Sequence, residues 1–152
     1  MLLIYKKTDD VYEEISYSSD LTNPVSTVHD GRDGGSTSLQ LYLRNDDAAK
    51  WYSNVTIQPI DLVDANPYGD IGYTETGWGV KLSAGSEEPT VGEWEDTSWG
   101  NLVEMADVGS ADEANTATYY SFWYYITCPP CTLAQVKTDI VLRTSYTENS
   151  VD

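Results

Sequence analysis

Positive charge is scarce in this sequence: 8 Lys and Arg stand against 25 Asp and Glu, a formal net charge of -17. Binding DNA or RNA needs a positive field that displaces counterions from phosphates, so nucleic acid is not an expected partner. An anionic membrane surface is excluded by the same sign argument. Histidine is scarcer still, with His29 alone. A multi-histidine metal site is thereby ruled out, and any Ser-His-Asp or Cys-His mechanism has to pass through that one ring. His29 stands beside Asp30 in a Gly-rich connection and reads as a surface-loop residue. Cysteine is limited to Cys128 and Cys131, too few for a disulfide-dense scaffold. Long apolar runs are missing too. Met1-Leu2-Leu3-Ile4-Tyr5 is followed at once by Lys6-Lys7, too short for a signal-peptide core and far too short for a membrane span. The expectation is a soluble chain made in the cytoplasm without an export signal.

What is abundant is aromatic: 5 Trp and 12 Tyr in 152 residues, within a hydrophobic fraction of 40%. That supports a core despite the charge, and the length suits one domain. A folded monomer of this size exposes roughly 7,700 Å², about one net negative charge per 450 Å². Such a density keeps copies apart.

Apolar residues recur with period two. Leu39, Leu41 and Leu43 alternate with Gln40, Tyr42 and Arg44; Trp78, Val80 and Leu82 alternate with Gly79, Lys81 and Ser83. Ile140, Leu142, Thr144 and Tyr146 alternate with Val141, Arg143 and Ser145, and Val55 and Ile57 make a shorter run. Strands of this kind bury one face and wet the other, as in antiparallel sheets. Further strands are predicted over 2–6, 11–17, 102–108 and 117–127. The last is apolar or aromatic on both faces, as suits a central strand between two layers or one with a partner on its second face. The one helical suggestion is Asp46–Trp51, around Ala48 and Ala49. Turn clusters at Asn23-Pro24, 30–35, 66–70 and 85–89 punctuate the strands. The pattern predicts an all-β protein, a single antiparallel β-sandwich of Ig-like or jelly-roll type. Residues 1–36 read as an N-terminal arm or edge strands with a Gly-rich connection, and 37–152 as the sandwich.

Each chemistry-bearing group also has a plainer role. Glu87, Glu88, Glu93, Glu95 and Asp96 lie near Trp94 and Trp99, and paired carboxylates can hydrolyse glycosides while indoles stack on sugars. With 25 acids, such neighbourhoods also arise by chance. Asp30 and Asp33, and Asp61, Asp64 and Asp70, share connections but lack EF-hand spacing and read as solvated loops. Cys128-Pro129-Pro130-Cys131 has redox or half-zinc-site spacing, yet a second ligand pair is missing, so a rigid loop is preferred. Asn54-Val55-Thr56 is a formal glycosylation sequon. No catalytic residue, metal or cofactor is assigned, and the chain is expected to be non-enzymatic.

Two stretches carry a resemblance. Asn23 to Gly35, leading into Leu39-Gln40-Leu41-Tyr42-Leu43-Arg44-Asn45-Asp46-Asp47, resembles the entry and first core strand of small β-sandwich virion proteins of tailed bacteriophages. Phe122 to Thr127, a proline turn, and Val136 to Arg143 resemble the closing hairpin of Ig-like sandwiches. The resemblance implies a structural role in the virion: a capsid decoration (cement) protein on the capsid exterior, with the major capsid protein and further copies of itself, as a trimer, for partners. A single domain without heptads or repeats suits the shell better than a fibre shaft. Negative charge suits an outward-facing surface. The aromatic surplus points to protein–protein contacts. Tyr119, Trp123 and Tyr125 on one face of the aromatic strand are the candidate contacts, with core filling as the equal alternative. Leu3, Tyr5 and Tyr12 join them if the segment 2–17 adds a strand to a neighbour's sheet edge, an intramolecular edge strand being the preferred alternative. The rivals are a tail or baseplate component and a carbohydrate-binding module using Trp78, Trp94 and Trp99.

Overall fold

The computed structural model describes residues 1–15, 22–25, 27–30, 32–61, 78–129 and 140–152. Among them, nine strands and one helix succeed one another: β1 (Leu2–Thr8), β2 (Val11–Glu14), β3 (Thr22–Pro24), β4 (Gly35–Asn45), β5 (Lys50–Asp61), β6 (Gly79–Ala84), α1 (Val91–Asp96), β7 (Val103–Glu104), β8 (Tyr120–Cys128) and β9 (Ile140–Ser150). They form two antiparallel sheets, one of five strands ordered β2-β1-β4-β8-β6 and one of four ordered β3-β9-β5-β7. The fold is all-β, and the sheets face each other across one core. Ile4, Leu41, Leu43, Val80, Phe122 and Tyr124 of the larger sheet meet Tyr52, Val55, Ile57, Ile140 and Leu142 of the smaller. Each large apolar side chain so buried contributes about 1.5–3 kcal/mol relative to exposure.

Local chemistry explains the connections. Asp9 and Asp10 both take positive φ (49° and 65°) between Thr8 and Val11. That is the two-residue turn whose twist matches a hairpin, and Asp tolerates it. The helical suggestion at Asp46–Trp51 gives way to a turn and the start of β5. Asn45 Oδ1 accepts from Asp47 N and Asp47 Oδ1 from Ala49 N, side-chain bonds that compete with a helix. The buried Asn45 also donates to the carbonyls of Lys50 (2.7 Å) and Ala114 (2.9 Å), tying the turn to a distant loop. The helix that does form, α1, begins at a capping box. Thr90 accepts from Glu93 N, and the Glu93 carboxylate accepts from Thr90 N at 2.7 Å.

The segment expected as an arm or edge strands holds two edge strands, β2 of the larger sheet and β3 of the smaller, while β1 is interior, lying between β2 and β4 with Leu2 and Ile4 in the core. Both edges of β1 are paired, so within the described residues of 2–17 only β2 presents a free sheet edge, and 39–44 belongs to the fourth strand rather than the first core strand. β8 and β9 are not a closing hairpin, because they lie in different sheets. Alternation puts one face of each toward the core, which is equally true of paired strands and of strands facing each other across it. The strand predicted at 102–108 contracts to β7, after which Val108 makes a separate bridge to Tyr52. The predicted residues Tyr17, Asp64, Asp70, Cys131 and Val136, with the turn at 66–70, lie outside the described residues.

Candidate functional site

Period two decides what the five-stranded sheet turns away from the core. The register sets Leu3 opposite Arg44, Tyr5 opposite Tyr42, Gln40 opposite Trp123, and Tyr125 between Ser38 and Lys81. Tyr119, just before β8, has the same parity, and Tyr12 pairs with Lys7. The outer face of this sheet therefore carries a second aromatic layer, separate from the core.

At the β2-β1-β4 side the layer is a tyrosine cluster. Tyr12 and Tyr119 stack with centroids 3.7 Å apart and planes 11° from parallel. Tyr5 meets Tyr119 edge-on at 5.5 Å, and Tyr42 meets Tyr12 edge-on at 5.1 Å, the offset and T-shaped arrangements that ring quadrupoles favour. The Arg44 guanidinium lies 5.2 Å over Tyr119 and donates from Nε to Thr116 O at 2.6 Å. Lys7 lies 5.3 Å over Tyr12 and pairs with Asp10, a bond that holds its ammonium above the usual lysine range. Burial, then the neighbouring Glu14 charge, push the Tyr5 phenol up. This surface thus gathers tyrosine rings with Arg44 and Lys7, and Asp10 and Glu14 lie at its margin.

At the β8-β6 side the layer is covered by the chain itself. The segment after β6 crosses the face: Gln40 donates to Ser86 O, Ser38 donates to Glu88, and α1 lays Trp94 against Tyr125 at 5.1 Å. Lys81, only 6% exposed, donates to Trp94 O at 2.6 Å and sits 4.1 Å over the Trp99 ring. Between the two halves stands Trp123, half-buried, whose Nε1 meets no acceptor among the described residues.

The structure therefore brings Tyr5, Tyr12 and Tyr119 together. Trp123 and Tyr125 share their face, but Tyr125 packs under Trp94 and Trp99. Leu3 points to the same side and is buried there. Tyr42 and Arg44 complete the cluster and were not among the candidates. Their signal was present, since alternation in 39–44 sets both opposite the core leucines.

The other candidates take structural places. His29 is half-buried, hydrogen-bonded to Thr27 (2.7 Å) and edge-on to Trp78, and burial pulls its pKa down. Asp30 accepts from the backbone of Arg32 in a local turn. Glu93 serves the helix cap, and the Thr90 backbone N–H holds its carboxyl below the usual range. Among the described residues, no group of three or more His, Cys, Asp or Glu gathers as metal ligands. Asn54 is exposed at a β-bulge with φ 52°, and Cys128 is buried at the end of β8. The indoles considered as sugar platforms are engaged: Trp94 is 6% exposed, Trp99 lies against Lys81, and Trp78 packs on the core. No helix among the described residues is long and apolar enough to cross a membrane. Comparison with protein families, with curated proteins and with solved structures finds no match.

Proposed function

We propose that this chain is a non-enzymatic virion protein of a tailed bacteriophage, a decoration protein that binds the outside of the assembled capsid. The observation that supports it best is the tyrosine cluster, a buried Tyr5 beside half-buried Tyr12, Tyr42 and Tyr119, on the sheet face opposite the one that Phe122 and Tyr124 fill. Rigid phenols on a sheet face offer apolar area at low conformational cost, each Å² removed from water contributing about 25 cal/mol. Docked on the major capsid protein, with copies of itself meeting as a trimer around lattice threefolds, the protein acts by mass action. Binding the assembled shell and not its free subunits stabilises the shell by the binding free energy. The net charge of -17 suits an exterior position and opposes association of free copies.

The experiment is co-sedimentation with capsid shells of the encoding virus. Wild type pellets with shells. Tyr12→Ala/Tyr119→Ala, still folded by circular dichroism, loses affinity about 30-fold or more, the scale of a lost aromatic hot spot. Wild type left in the supernatant, or a variant that pellets equally, contradicts the proposal.

A further inference from the structure

Tyrosine rings meet one another repeatedly in this structure, and one pair differs from the rest in geometry. Tyr5 with Tyr119, Tyr12 with Tyr42, Tyr42 with Tyr119 and Tyr52 with Tyr146 all meet edge-on, their planes 74–88° apart. Among the described residues, only Tyr12 and Tyr119 lie face to face, with centroids 3.7 Å apart and planes 11° from parallel. In an edge-on pair one rim of one ring approaches its neighbour. In a close parallel pair the carbons flanking each hydroxyl lie against the opposite ring. Those are the carbons that carry the unpaired electron once a phenol has lost an electron and a proton.

The pair is both reachable and held in place. Each ring is half-buried, so a small oxidant gains access, whereas Tyr52 is fully buried. Lys7 lies over Tyr12; Arg44 lies over Tyr119, donates from Nη1 to its hydroxyl oxygen at 3.3 Å, and is itself anchored on Thr116 O. The two rings also come from distant parts of the chain. Tyr12 belongs to β2, an edge strand of four residues whose sheet partner is β1 alone, and Tyr119 leads into the interior strand β8. Joining residues about a hundred positions apart removes much freedom from the unfolded chain.

We propose that Tyr12 and Tyr119 form an oxidative crosslinking site, at which a dityrosine bond ties the β1–β2 hairpin to the entrance of β8. The co-reactant is a peroxide-class oxidant acting in one-electron steps. Each phenol gives up one electron and one proton, and the two radicals join through a new carbon–carbon bond between ring carbons beside the hydroxyls. The hydrogens on those two carbons then move to the oxygens and restore both phenols. The pair has lost two electrons and two protons, and hydrogen peroxide that accepts them leaves as two waters. The bond needs no second copy and no shell, so it forms or fails independently of capsid binding.

Photo-oxidation of the isolated chain with a ruthenium tris-bipyridyl complex and persulfate tests this, at micromolar protein where the net charge of -17 keeps copies apart. Persulfate accepts the two electrons and leaves as two sulfates. The expected product is a monomer lighter by two hydrogens, in which peptide mass spectrometry joins the Tyr12 peptide to the Tyr119 peptide. Its melting temperature is expected to be roughly 10 °C higher than that of the unreacted chain. Tyr12→Phe and Tyr119→Phe, which keep the ring and remove the phenol, each lose that crosslink, and the urea-unfolded chain spreads its crosslinks over other tyrosines. A native chain whose crosslinks avoid this pair, or spread as widely as in urea, overturns the proposal. So does a crosslinked monomer that melts no higher than the unreacted chain.

Discussion

Among the described residues, two core hydroxyls, Tyr52 Oη and Thr144 Oγ1, meet no hydrogen-bond partner. Tyr52 is fully buried and Thr144 1% exposed. A buried hydroxyl left unpaired costs about 1–3 kcal/mol. For Tyr52, burial first and the Glu148 charge second push the phenol pKa far up, so ionisation offers no relief. Thr144→Val, which keeps the shape and removes the oxygen, is expected to stabilise the fold by about 1 kcal/mol. Thermal unfolding checks it, with a rise of about 2–4 °C at this chain length. Tyr52→Phe has the same sign. His29 supplies a pH test. Burial lowers its pKa from 6.5, so the unfolded chain binds the proton more readily than the native one. Its contribution to stability is present above 6.5 and is lost as pH falls through the lower native value. NMR titration is expected to place the imidazole midpoint below 6.5, and His29→Gln to flatten that part of the stability profile. Neither orphan hydroxyl was legible in the sequence, because alternation says that Thr144 faces inward but not whether an acceptor waits there.

At the scale of elements, α1 rests on its cap and on one side chain, Trp94. Six residues are too few for a helix to hold itself, so the cap and the packing on Tyr125 decide whether it forms. Thr90→Ala is expected to cost about 1 kcal/mol and to raise tryptophan exposure, read by acrylamide quenching. The Glu93 half of the box is present at neutral pH and fades as acid protonates a carboxyl whose pKa lies below the ordinary 4.5. Strand existence was readable wherever period two ran cleanly, as in β4, β6, β8 and β9. Helix α1 was missed although Thr90-x-x-Glu93 is a helix-start signature, because six residues show too little periodicity to attract notice. Pairing was less readable than existence. That β8 pairs with β4 and β6, and β9 with β5 and β3, depends on long-range contacts that no local pattern encodes.

For the whole molecule, charge and aromaticity set the behaviour together. A net -17 repels itself within one compact body as well as between copies. Raising salt from about 0.02 to 0.2 M shortens the screening length to below 10 Å. The melting temperature is therefore expected to rise, as calorimetry would read. The outer aromatic face was half legible: parity along 117–127 separated the two faces of β8, and 39–44 placed Tyr42 and Arg44. That Tyr5 and Tyr12 would join Tyr119 needed the β2-β1-β4 order, and that α1 covers Tyr125 needed the helix. Tyr125 is packed against the chain's own strap, while Tyr5, Tyr12, Tyr42 and Tyr119 pack on one another on the same outer face.

The central claim is that this cluster attaches the protein to an assembled shell. Quantitative mass spectrometry of purified virions of the phage proposed to encode it measures the consequence most directly. The account predicts a copy number on the order of the shell's own subunit count. Absence of the chain from the particle, or a handful of copies as befits a tail part, contradicts it.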